Sequence, residues 1–181
     1  MSNYLEIVFT SAVVATVTGT VVTHYFDFYK QKRTSKLDAL SLAVELEGYV
    51  LECADKLSGH ETAVSSNDCA GCRLSAIPAF PALSALPIEA GLLWFKAPKL
   101  ANRILALPQE HKIAVQSADF WWEVVGDRAC ADSASVLETA RIASLALDLA
   151  KDIRKEFALP VRALVFGDYD VQEVVKKFSE Q

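Results

Sequence analysis

Between Ile7 and Phe26 the chain runs for 20 residues without a charge, bounded by Glu6 and Asp27. A helix rises about 1.5 Å per residue, so a run of this length matches the roughly 30 Å of a bilayer's hydrocarbon. Nine of the twenty are Ile, Val or Phe. At about −0.3 to −0.6 kcal/mol each they favour insertion by roughly −3 to −5 kcal/mol, before the Thr, Ser and His residues oppose it. A cleavable leader fits poorly, because Met1 to Glu6 carries no base and the run ends in His24-Tyr25-Phe26 rather than a small-x-small site. A buried strand would explain the many Val and Thr, but strands rarely exceed ten residues. Length therefore predicts a transmembrane helix over 7–26.

The flanks set the expected orientation. Lys30, Lys32 and Arg33 follow the run and nothing basic precedes it, so the positive-inside rule puts residues 1–6 outside the cell membrane and everything after the basic juxtamembrane segment 27–36 in the cytosol. Tyr4 at one end, and Tyr25, Phe28 and Tyr29 at the other, suit the two bilayer interfaces. Within the run, Ser11, Ala15, Gly19 and Thr23 recur every fourth residue, with Ala12, Thr16 and Thr20 beside them. Small residues at that spacing let backbones approach closely, so this stripe is the expected face for self-association into a homo-oligomer.

Residues 34–181 carry 15 basic and 21 acidic side chains. That balance disfavours nucleic acid as a partner and disfavours lying on anionic lipid. The expected cytosolic domain, 37–181, is large enough for one core.

Thr34–Leu57 has a helical period: Ala39, Ala43, Leu46, Val50, Cys53 and Leu57 are spaced alternately by four and three, the seam of a packed helix, and Gly59 is the expected stop. Asp38, Glu45 and Glu52 lie seven apart, with Glu47 and Asp55 also off the seam, which reads as a solvated acidic face. Residues 59–92 then form an irregular segment longer than compact domains usually contain. Its second half holds Pro78, Pro81 and Pro87, and Ile77, Phe80 and Leu83 are expected to lie across a helix as a strap, a reading preferred to a polyproline ligand.

Further helices are expected. Pro98 opens one through Leu107, with Pro108 breaking it or starting the next; Gln109–Val125 places Ile113, Ala114, Ala118, Trp121, Trp122 and Val125 on one broad face. Ala131–Leu159 carries one stripe of Val136, Ala140, Ala143, Leu147 and Ala150 and a second of Ile142, Ala146, Leu149, Ile153 and Phe157, so wide an arc that it belongs at the centre of a bundle. Asp170 followed by Glu173 starts a last helix through Phe178. Val161–Phe166 is apolar without a clear period, and strand evidence is too thin for a sheet. The expected fold class is all-α: a single N-terminal membrane helix followed by a bundle-like domain with one long Pro-containing loop.

The residues that could carry chemistry are few. Cys69-Ala70-Gly71-Cys72 offers two thiols on a turn, and His60 and Cys53 just upstream would complete four metal ligands, with zinc the candidate ion. Cys53 sits on the apolar seam, where a thiol usually acts as a small hydrophobe. A redox pair is the other use of a CxxC, though no βαβ pattern surrounds it. His111 with Cys130, oriented by Glu110 or Asp132, would supply a base and a nucleophile only if folding brought them together. Adjacent Trp121 and Trp122 cannot both point the same way on a helix, so at least one is expected at a surface or contact.

No catalytic residue and no cofactor-binding residue is assigned. The expectation is a single-pass, membrane-anchored helical scaffold, adaptor or regulatory module, self-associating and open to a protein partner. A metal- or thiol-responsive sensor built on Cys69 and Cys72 is the alternative, and a small membrane enzyme using Glu45, Glu52 or His111 the third.

Overall fold

A computed structural model describes residues 2–66, 80–84 and 97–180, with the side chains of 2–19, 21, 31 and 128 outside that description. The chain divides into two compact units, Met1–Leu37 and Asp38–Gln181.

Helix α1 covers Ser2–Ser65. In the first unit its side chains from Val22 to Tyr29 are exposed, among them Tyr25, Phe26, Phe28 and Tyr29. Among the described residues no helix is long and apolar enough to cross a membrane. The helix expected over 7–26 is present as part of α1. Gly59 does not end α1 as expected. A glycine inside a helix costs about 1 kcal/mol, but it stops the helix only where it takes a left-handed conformation. Here the chain stays helical through the glycine for six more residues, and the Glu61 carboxylate is held by Lys177.

Among the described residues, the regular elements of the second unit are helices and one small hairpin. Helix α2 spans Pro98–Phe120, a π-helical turn follows at Trp121–Val125, and α3 spans Arg128–Glu156. Strands β1 (Val165–Phe166) and β2 (Tyr169–Asp170) pair antiparallel, Val165 facing Asp170, and α4 covers Val171–Ser179. All-α is therefore the fold class, with a two-stranded hairpin where no sheet was expected. Gly167, at φ 63°, supplies the left-handed position its tight turn requires.

Pro108 neither breaks α2 nor begins a helix; it lies inside one. Proline removes the amide that Ile104's carbonyl would have accepted, and Pro108 lies on the exposed side of α2. The helix tolerates it. Pro98 occupies the first turn, where a missing N–H costs nothing.

The core forms where the second-unit part of α1 meets α2, α3 and α4. The whole seam Ala39, Ala43, Leu46, Val50, Cys53 and Leu57 is buried, as are all of the residues in the two α3 stripes except Val136, which is partly buried. Ala140, Ala143, Ala146 and Ala150 put almost no side-chain volume on α3, so helices can pack closely around it. Leu57, Ala140 and Phe178 make a second, smaller cluster on which Val136 and Val174 pack. Phe80 and Leu83 pack on the main core, giving the expected strap at those two positions; Ile77 lies outside the described residues.

Both of the later helices carry side-chain caps. The Asp127 carboxylate accepts from the Cys130 amide at 3.1 Å, and Asp170 accepts from the amides of Gln172 at 2.8 Å and Glu173 at 3.4 Å. Each satisfies amides that no helical carbonyl can reach. At the other end of α3, Ala158 turns left-handed at φ 49°, and Leu159 donates back to the Arg154 carbonyl at 2.8 Å. This closes the helix and turns the chain towards the hairpin.

Candidate functional site

The strongest polar feature of the interior is one the sequence does not announce. Glu47 and Arg154 are both buried, and the guanidinium grips the carboxylate with two nitrogens, Nε to Oε1 at 2.6 Å and Nη2 to Oε2 at 2.9 Å. The third nitrogen, Nη1, donates to the Pro160 carbonyl at 2.7 Å, and the half-exposed Arg162 approaches Glu47 at 3.7 Å. Hydrogen bonding to Glu47 holds the Arg154 guanidinium above its usual pKa despite burial. The cluster joins α1, the end of α3 and the chain leaving it. Its two buried charges are paired with each other, so it is a clamp rather than a reactive centre.

A second polar cluster surrounds His111. Its Nε2 lies 3.0 Å from the Pro81 carbonyl, which can only accept, so Nε2 carries the ring proton and donates. The ring meets Tyr49 edge-on at 5.9 Å and Phe80 at 6.0 Å. His111 is thus the residue on α2 that fastens the strap. The Tyr49 hydroxyl is buried without an ordinary hydrogen bond, and the thiol of Cys53, one turn along α1, is its polar neighbour. Burial raises the Tyr49 pKa and pushes the Cys53 thiol up to about 12, opposed only in part by the contact with Tyr49.

The proposed metal ligands are not brought together among the described residues. Cys53 is sealed in the core and its thiol holds its proton, whereas a ligand must be a thiolate. His60 stands seven residues further along the same helix, a rise of about 10.5 Å, too far for both to hold one ion. Its Nδ1 is buried with no hydrogen-bond partner. Cys69 and Cys72 lie outside the described residues. No group of three or more His, Cys, Asp or Glu among the described residues could hold a metal ion.

The imagined nucleophile and base have other partners. His111 is committed to Pro81, and Glu110 to Arg141 at 3.1 Å, with Glu138 on the same guanidinium at 2.7 Å. Cys130 is exposed at the start of α3, where a helix N-terminus ordinarily lowers a thiol's pKa. Here the Asp127 carboxylate accepts from the thiol and raises its pKa instead. Glu45 and Glu52 are exposed, as expected of a solvated face. An open cleft of about 480 Å³ lies between the start of α2 and the end of α3, lined by Pro98, Lys99, Leu100, Arg103, Asp152 and Lys155; Arg103 and Asp152 form an ion pair across it.

Of the self-association stripe, Ser11, Ala15 and Gly19 lie outside the described side chains and Thr23 is exposed. Among the described residues of the second unit, exposed apolar side chains gather at the turn joining α2 to α3. Phe120, Trp121, Trp122, Val124 and Val125 are all exposed there, Trp122 at 56% and Val124 at 69%. Trp121 meets Phe120 edge-on at 5.8 Å. The sequence signal for this surface was the adjacent tryptophan pair. The π-helical turn, ended by left-handed Gly126 at φ 69°, presents both rings outward.

No protein-family model matches this chain, and no curated protein or solved structure is significantly similar to it.

Proposed function

We propose that the chain is a single-pass, membrane-anchored helical scaffold or adaptor whose cytosolic domain, residues 37–181, is held at the bilayer by residues 7–26. The observation that carries this reading is the uncharged run Ile7–Phe26 followed at once by Lys30, Lys32 and Arg33. The exposed aromatic residues Tyr25, Phe28 and Tyr29 support it, because side chains of that kind suit a bilayer interface.

The scaffold part of the reading rests on how the second unit uses its polar groups. Glu47, Arg154, His111 and Arg141 each fasten one element to another. The surface carries a concentrated apolar turn, which suits contact with another macromolecule. Self-association is assigned to the Ser11, Ala15, Gly19, Thr23 stripe.

The test is crosslinking of the full chain in membranes. Oligomers that fall to monomer on Gly19→Leu are expected; monomer throughout, unchanged by that substitution, overturns the self-association part. Alkaline carbonate extraction tests the anchor: the chain should stay with the membrane pellet, and full release overturns it.

A further inference from the structure

Two exposed surfaces of this chain are complementary in charge and alike in apolar character. Across 119–127, Asp119, Glu123 and Asp127 are exposed around Phe120, Trp121, Trp122, Val124 and Val125, with no base in that stretch. Across 28–37, Lys30, Lys32, Arg33 and Lys36 are exposed among Phe28, Tyr29 and Leu37, with no acid. On the helix Tyr29, Arg33 and Leu37 follow one another at four-residue spacing, so one stripe presents both a ring and a cation.

We infer that the acidic aromatic turn Asp119–Asp127 of one copy docks on the basic segment 28–37 of a second copy. The turn has too much exposed apolar surface for isolated side chains, and such patches mark contact sites. Its charge selects the occupant: the three carboxylates of the turn are matched by four cations beside rings and Leu37 on the segment. Trp121 and Trp122 supply rigid anchors that lose little entropy on docking, and cations over their faces add to the attraction.

This inference deepens the self-association reading above but uses different residues, so the two fail separately. The experiment uses the full chain in bilayer nanodiscs fused or mixed to allow more than one copy, with a photo-crosslinking amino acid at Trp122 and a second, isotope-labelled copy. Crosslinks from the turn to peptides within 28–37 of the differently labelled copy are expected. Asp119→Lys and Glu123→Lys together on the donating copy, which leave the anchor, its basic flank and the Asp127 cap unchanged, should lower their yield about tenfold. Crosslinks to lipid, to other segments, or with a yield unmoved by charge reversal overturn the inference. Gly19→Leu should leave these crosslinks in place while removing contacts made through the span.

Discussion

Glu47 and Arg154 stand 107 residues apart in the chain and meet as a buried, two-point ion pair. Desolvating two charges offsets much of their attraction, so the pair adds less to net stability than its geometry suggests. Losing one partner is another matter, because the remaining charge stays buried. Glu47→Ala or Arg154→Ala should destabilise the second unit by about 3–5 kcal/mol. Replacing both together, Glu47→Leu with Arg154→Met, should cost much less than the two single changes added. Urea denaturation followed by circular dichroism checks this, and additive losses would mean the pair is not coupled.

The Cys53 thiol predicts an alkaline instability. Folding raises its pKa from the ordinary 9.0 to about 12, so above pH 9 the unfolded chain releases a proton that the folded chain keeps. The unfolded state then binds fewer protons, and stability must fall as pH rises from about 9 towards 12. Tyr49, also raised by burial, acts in the same direction from a higher starting pH. Denaturation midpoints should be flat between pH 7 and 8.5 and fall above 9. Cys53→Ala should shallow that fall at the cost of a small cavity.

Cys130 should respond to its neighbour. The Asp127 carboxylate raises the thiol pKa while capping α3. Asp127→Asn keeps a capping oxygen but removes the charge, so the Cys130 pKa falls and its reaction with iodoacetamide at pH 8 should quicken. Asp127→Ala should quicken it as well and cost about 1 kcal/mol of stability. Cys53 should react with neither variant until the protein unfolds.

Close packing around α3 depends on small side chains. Ala143 is fully buried in the main core, and Ala143→Leu adds volume among close-packed neighbours. The expected loss is about 1–3 kcal/mol. The same change at exposed Ala129 should be nearly neutral, which separates crowding from helix propensity.

Helical period alone located the α1 seam and both stripes of α3, because a buried face repeats with the helix and needs no knowledge of its partner. Glu47 sits off that seam and read as part of a solvated face, since its partner is distant in sequence and only the assembled fold places Arg154 against it. Pro108 and Gly59 looked like helix ends because local propensity favours ends there; one lies on an exposed surface and the other stays right-handed within α1, so the helices continue. The metal set failed at Cys53 and His60 for a reason visible once α1 is continuous: seven helical residues separate them by too much. The tryptophan pair signalled a surface, but which way the rings face depends on a π-helical turn that no period in the sequence marks.

One labelling experiment tests both the anchor and its orientation. In a chain with Cys69→Ser and Cys72→Ser, exposed Cys130 is the reporter and sealed Cys53 the silent control. A membrane-impermeant maleimide should label Cys130 only after cells are lysed, with the protein in the membrane fraction. Labelling in intact cells would put the helical domain outside and contradict the orientation; recovery of the labelled protein in the soluble fraction would contradict the anchor itself.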